Sequence, residues 1–279
     1  VFDKKLPEIP EDVDVIFVSD LFIENHLGGA ELTSEALIES CPFKIHKLLS
    51  KDVTMETLEM FHTKYWIFGN FASMDWKLIP TIVANLKYSI VEFDYKYCKY
   101  RSPEKHKFSE QSECVCEDDT TGKIISAFFY GSKSLWWMSE MQMKKYHSAF
   151  PFLLDVDNIV LSSVFNDEFF ATVKMLNEKY KDTKREKYIV VNSTSWIKGV
   201  DDSLAKCKSY RDLLQKLASS KGLVFLPRGG DTCPRLVIEA KLLGCELILN
   251  DNVQHKDELW FNTEDMLDTE SYLYAARNR

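Results

Sequence analysis

The sequence predicts an α/β fold with parallel sheets covered by helices, and three observations carry that prediction. Apolar runs of strand length recur along the chain, and helical stretches follow them, the order that parallel strands joined by helical crossovers require. The run from Gly222 to Asn250 holds one complete strand, loop, helix and strand unit. At 279 residues, 45% of them hydrophobic, the chain is long enough for two domains with their own cores.

The elements follow in order. Residues 13–19 (Val-Asp-Val-Ile-Phe-Val-Ser) form the first strand and 20–27 a loop. A helix over 28–38 opens on Gly28 and Gly29, whose missing side chains let a backbone or ligand come close. A second strand falls at 43–49, and a stronger one at 64–70. A helix over about 74–86 leads to a strand at 89–94. Strand 134–139 runs into a helix over 140–147, and strand 158–162 precedes a crossing between halves at 165–169. The charged stretch 178–187 reads as a solvated helix end and loop, after which strand 187–192 restarts a sheet. Residues 222–227 are a strand and 228–230 a turn. Asp231 or Thr232 then caps a helix that takes Pro234 in its first turn and stops at Gly244. Strand 245–250 follows, and the tail over about 265–279 forms a final helix. No internal repeat or low-complexity segment interrupts this order.

Composition excludes some classes. The net charge of −8 argues against a surface that coats nucleic acid, although residues 96–107 are locally basic. No apolar run approaches the ~20 residues of a membrane span. The opening Val1-Phe-Asp-Lys-Lys lacks the pattern of a secretory signal. The 7 cysteines are odd in number and sit mostly in apolar segments, which suits a reducing compartment. The expected location is cytoplasmic.

Two carboxylates, Asp231 and Glu239, carry the functional signal. Glu239 lies among Leu236, Val237, Ile238, Ala240, Leu242 and Leu243. Burying it unpaired is costly, so a partner or a ligand is expected. A helix N-terminus at the carboxyl end of a parallel strand is where open α/β sheets bind ligands, and its free amides suit phosphate or sugar oxygens. The plainer alternative makes Asp231 a cap and Glu239 a salt-bridged core residue.

Three pieces in one order resemble the retaining GT-B glycosyltransferases of the family 4 type. They are Gly28-Gly-Ala-Glu31 after the first strand, Trp196-Ile-Lys-Gly-Val-Asp201, and the run from Asp231 to Gly244. That family has a Glu, seven residues and a second Glu; here Asp231 stands first. Asp94-Tyr-Lys-Tyr-Cys98 and residues 161–167 are similar to its mid-chain and hinge segments. The resemblance implies a GT-B architecture, two Rossmann-like domains with parallel sheets facing across a cleft. Residues 1–165 would form an acceptor domain and 166–279 a reduced nucleotide-sugar domain, with the final helix packing back on the first. It also implies transfer of a hexose from a nucleotide-diphosphate sugar to a saccharide or other hydroxyl acceptor, with retention, without metal and with no cofactor beyond the donor.

By the same resemblance, Gly28 and Gly29 bring backbone amides to the donor diphosphate, and Lys198 neutralises that diphosphate as it leaves. Asp231 contacts the hexose, and the amides near Thr232, Cys233, Arg235 and Leu236 flank sugar and phosphate. Glu239 accepts hydrogen bonds from the ribose hydroxyls, which would explain a buried Glu without a cation beside it. Lys198 and Asp231 are the catalytic candidates, because fixed positive charge at a departing diphosphate lowers the barrier to an oxocarbenium-like transition state. His26 and Asp94 are the acceptor-side candidates. The chain departs from the family at Ser193, where Arg is usual and for which Arg228 is the candidate substitute. Phe93 replaces a His before Asp94, and Pro234 stands where Gly is common. The second half is also short of the strands that usually hold the base. Two alternatives stay open: a nucleotide-sugar-binding or scaffold protein without turnover, and a sugar-nucleotide epimerase.

Two other groups receive plainer readings. Cys98, His106, Cys114 and Cys116 are metal-type ligands in a loop-like region, but Cys-x-Cys with distant single partners is an irregular zinc spacing. They read as loop cysteines without metal. Phe128-Phe-Tyr130 and Trp136-Trp137 read as core or interdomain packing. No Ser-His-Asp grouping and no nucleoside-triphosphatase phosphate loop is present.

Overall fold

Strands that are apolar on both faces must be covered on both, and parallel pairing needs a long crossover between neighbours. The computed structural model describes residues 9–191 and 209–278 and meets both demands. Six strands form one parallel sheet in the order β2-β1-β3-β4-β5-β6. They are β1 Val15–Ser19, β2 Ile45–Leu49, β3 Tyr65–Phe68, β4 Lys87–Glu92, β5 Ser134–Trp137 and β6 Asp157–Val160. A second parallel sheet has the order β7-β8-β9, from Tyr188–Val190, Gly222–Phe225 and Glu246–Leu249. The described helices are α1 Gly29–Ser40, α2 Met55–Met60, α3 Ile79–Asn85, α4 Pro103–Glu110, α5 Thr120–Tyr130, α6 Glu140–Ala149, α7 Asp167–Tyr180, α8 Tyr210–Ser219, α9 Arg235–Leu242 and α10 Met266–Ala275.

The main surprises are helices where the sequence shows weak periodicity. Helix α4 is mostly polar; it starts because Ser102 accepts from the Lys105 amide and Pro103 occupies the first turn, a strong local start signal. Helix α5 is capped by Asp119. The predicted crossing at 165–169 is the entry to α7, capped by Asn166 and buried through Phe169, Phe170, Val173 and Leu176.

The start of α9 differs from expectation. Pro234 occupies the cap position and no side chain caps the helix. Asp231 is held in a strand-like bridge instead, its amide donating to the Asn252 carbonyl (2.8 Å) and its carbonyl accepting from the Gln254 amide (3.1 Å). The Thr232 hydroxyl donates to the Phe93 carbonyl (2.8 Å). Capping needs the side chain turned back on its own helix, and these partners turn the segment toward the first sheet.

One face of the large sheet packs a core rich in aromatics. Phe128 stacks on Tyr88 at 5.0 Å and Phe129 on Tyr146 at 5.4 Å, so Phe128, Phe129 and Trp137 are core residues. The other face belongs to a core that continues from Phe17, Ile67 and Val91 to Val191, Leu223 and Phe225 of the second sheet region. Polar bonds between loops join the two sheet regions as well. Ser163 donates to the Cys233 carbonyl (3.1 Å), and Tyr95 donates to Gln254 Oε1 (2.8 Å). The last turn of the chain returns to this junction, where Arg277 pairs with Asp167 (2.8 Å) and Tyr274 packs on Phe170.

Candidate functional site

The site begins with two helix starts. Helix α1 has Gly28 at its cap position with no side-chain cap, and α9 begins uncapped after Pro234. The first amides of a helix have no partner within it, and the helix dipole places partial positive charge there. The fold brings these two starts together: a Cβ added to Gly29 would lie 3.7 Å from the Cβ of Arg235. Between them is a cavity of about 370 Å³, lined by Gly28, Gly29, Tyr210, Arg235, Leu236 and Glu239, with Pro234 and Phe225 behind. Two N-termini without side-chain caps face one space, an arrangement that favours an anion with several oxygens once the Glu31 carboxylate, which reaches Gly28, turns away from it.

Glu239 has a cation beside it, as the plainer reading of the sequence expects and the family resemblance does not. Arg235 Nε donates to Glu239 Oε1 (3.0 Å), and the Tyr210 hydroxyl donates to the same oxygen (2.6 Å). Arg235 is one helical turn before Glu239, close enough to fold back on it. Its guanidinium also donates to the Val164 carbonyl (2.5 Å) and lies 3.9 Å over the Phe165 ring. Burial pushes the Glu239 carboxyl up, against the pull of Arg235 and Tyr210. Burial likewise raises Tyr210, with the Glu239 charge adding to it, so Tyr210 stays a protonated donor. Sequence reasoning marked Arg235 for its amide and missed its side chain; the i,i+4 spacing to Glu239 was the available signal. Tyr210 is brought in from α8 and had no signal.

The other predicted residues lie elsewhere. Asp231, Thr232 and Cys233 are taken up in the junction between the sheets rather than in the cavity wall. Cys233 is 8% exposed, and burial pushes its thiol up to about 12. Arg228 lies with Lys107, Asn250 and Asn252 on a separate open groove, away from the Gly28–Arg235 cavity. His26 is exposed, beside Gly28. Lys198 and Ser193 lie outside the described residues, whereas Val191 and Ser209, on either side of that segment, both line the cavity.

Asp94 belongs to a polar cluster at the carboxyl ends of β1, β3 and β4. Its Oδ2 is 2.5 Å from Arg101 Nη2, which donates to Asn70 Oδ1 (2.7 Å). Nearby, Asp20 accepts from the amides of Ala72 (3.0 Å) and Ser73 (2.9 Å) and from the Ser50 hydroxyl (2.5 Å). Burial alone would raise the Asp20 carboxyl, but these donors hold it below its ordinary value. Asp20 was legible as the first residue of the loop after the first strand, though the sequence did not single it out.

A larger cavity of about 490 Å³ adjoins the first and shares Leu32, Tyr210 and Arg235 with it. Glu35, Glu39 and Glu168 line it. Its three carboxylates outnumber Arg211 and Arg235, whereas in the smaller cavity Arg235 balances Glu239, so the smaller cavity is the better anion site despite its size.

No protein-family model matches the chain, and no curated protein does. Among solved structures it is similar to Anabaena Alr3699/HepE in complex with UDP-glucose, at 10% identity, with 95% of this chain and 94% of that chain covered and a TM-score of 0.54. The same protein in complex with UDP and glucose matches at 10% identity and a TM-score of 0.53 over the same shares. At this identity the likeness is one of fold along nearly the whole chain.

Proposed function

We propose that this protein is a GT-B-type glycosyltransferase that moves a hexose from a nucleotide-diphosphate sugar to a hydroxyl acceptor, with retention and without a catalytic metal. The observation that carries this reading is the single cavity shared by Gly28, Gly29, Arg235, Leu236 and Glu239, five residues marked in advance from two distant parts of the chain. The fold shared with HepE, whose solved complexes hold UDP-glucose or UDP with glucose, supports it. In this reading the α1 and α9 amides receive the diphosphate and Glu239 accepts from the ribose. Lys198 and Asp231 act on the leaving group and the hexose, with Thr232 and Cys233 beside them. Arg228 supplies further positive charge, and His26 and Asp94 belong to the acceptor side. Charge fixed before the donor breaks is effective because it needs no reorganisation in the transition state.

The second reading, a nucleotide-sugar binder without turnover, draws support from Ser193 and Phe93, which stand where the resembled family has an Arg and a His. Loss of such groups removes chemistry before it removes binding.

A thermal-shift series with UDP-glucose, other UDP- and GDP-sugars and the free diphosphates tests both. Binding at a hundredfold excess over Kd should raise the Tm by about 5–10 °C, and Glu239→Gln should reduce the shift while remaining folded. Donor hydrolysis, followed by release of free hexose, separates transferase from binder. A folded protein that no nucleotide stabilises would sink both readings.

A further inference from the structure

The segment between β4 and α5 raises a packing problem. Helix α4 is polar, and His106 is its one buried residue. Phe108, its only large apolar side chain, is 60% exposed. A helix of this composition cannot be held to the body by apolar area.

What it does present inward is a set of soft ligands. His106 Nδ1 lies 3.3 Å from Cys116 Sγ and 3.8 Å from Cys98 Sγ. With Cys114 added, the four ligand atoms all lie within 4.8 Å of one another. Cys98, Cys116 and His106 are buried, and Cys114 is half-buried. In a tetrahedral zinc site, bonds of about 2.3 Å to sulfur and 2.0–2.1 Å to nitrogen set ligand atoms roughly 3.6–3.8 Å apart. The cluster is within about 1 Å of that geometry.

The surroundings hold the ligands in place. Gln111 takes a left-handed conformation (φ 54°) and turns the chain back after α4. Gly122 lets the Cys116 turn lie directly on α5, where a Cβ would come 2.1 Å from the Cys116 carbonyl oxygen. Tyr100 packs its ring edgewise against His106 at 5.6 Å. The spacing that looked irregular in sequence, Cys98-x7-His106-x7-Cys114-x-Cys116, closes because one helix and one reversal lie inside it.

We propose that Cys98, His106, Cys114 and Cys116 form a tetrahedral Cys3His site for one structural zinc ion that fastens α4 and residues 111–119 to the body. Each thiol gives up its proton on binding, and His106 binds as the neutral ring through Nδ1. All four positions are filled by protein, so the ion has no open position for a substrate. Its role is to hold the segment carrying Asp94, Arg101 and Glu104, whose carboxylate pairs with Lys145 of α6 at 2.7 Å.

The test is the metal content of the intact 279-residue chain, purified under reducing conditions without a metal-affinity tag. About one zinc per chain is expected by elemental mass spectrometry, falling to near zero in Cys116→Ser and staying at one in Cys41→Ser. Cobalt exchanged into the wild type should give the intense visible bands and thiolate charge transfer of a tetrahedral sulfur-rich site. Removing the metal with a chelator should lower the Tm by roughly 5–10 °C, and added zinc should restore it. A folded wild type that neither carries zinc nor develops a cobalt–thiolate band overturns the proposal. So does thiol counting that finds two of these cysteines joined as a disulfide in the reduced preparation. Should Cys116→Ser fail to fold, the wild-type content and the cobalt spectrum still decide.

Discussion

Two buried ion pairs in this protein share one chemistry and differ in what lies beyond them. In the first sheet region Lys96 Nζ donates to Glu92 Oε2 (2.7 Å), and the Tyr146 hydroxyl donates to Oε1 (2.9 Å). In the second, Arg235 and Tyr210 play the same parts for Glu239. Both pairs are four residues apart, and both carboxylates are almost fully buried, Glu92 at 0% and Glu239 at 2% exposure. Glu92 is enclosed. The Lys96 amide also donates to it, Gln142 donates to its carbonyl, and Lys96 lies over the Phe71 ring. Glu239 stands in the wall of a cavity faced by two helix starts. A buried carboxylate with a cation therefore does not mark a site by itself. The open space and the two helix starts next to it do.

The largest effect should come from the sealed pair. Lys96→Met leaves Glu92 in the core without its cation, and unfolding in urea should show a loss of about 3–5 kcal/mol. Adding Glu92→Gln should recover a good part of it. Arg235→Met should cost less, about 1–3 kcal/mol, because Glu239 borders a cavity that water can enter once the guanidinium is gone, whereas Glu92 is enclosed. Equal losses in the two variants would break the comparison.

A third buried group, His255, probes the same physics without a partner. It is fully buried between Trp260 and Phe261, and neither ring nitrogen has a hydrogen-bond partner among the described residues. Burial lowers its pKa to about 3 from the usual 6.5. The folded state holds it neutral, so its contribution is fully present above pH 6.5 and is lost as the pH falls toward 3. That slope is at most about 1.4 kcal/mol per pH unit. Tm measured against pH should fall less steeply over this window in His255→Phe, and an unchanged slope would exclude His255 as its source.

The smallest effect on stability should come from Gly29→Ala. The added methyl meets Arg235 at ordinary contact distance, so stability should change by less than about 0.5 kcal/mol. It narrows the cavity between the two helix starts, and the nucleotide-induced Tm shift should shrink. An undiminished shift would place the donor elsewhere.

Much of the fold was legible because strand and helix are local. The apolar runs at 15–19, 65–68 and 222–225 became strands, and the Gly28 pair and the Gly244 stop bounded helices as read. Of the cavity wall, Gly28, Gly29, Arg235, Leu236 and Glu239 were legible, since a Gly pair before a helix and a Glu in an apolar helix are visible in a few residues. His26 lies at the cavity's edge beside Gly28, whereas Arg228 and Asp94 were marked but lie apart from it, because a residue's distance from a site depends on how loops from different strands meet. Glu92 passed unnoticed, since a single acidic residue in a strand carries no periodic signal.

The sequence by itself determined the α/β class, the parallel arrangement and the presence of a carboxylate that needs company. Each follows from patterns a few residues long, where backbone geometry dictates which side chains share a face. Only the tertiary structure decided that Arg235 and Tyr210 are that company, that two helix starts face one cavity, and that four scattered ligands meet around one point. Those outcomes depend on chain reversals and on packing between distant segments, whose energies no local pattern records.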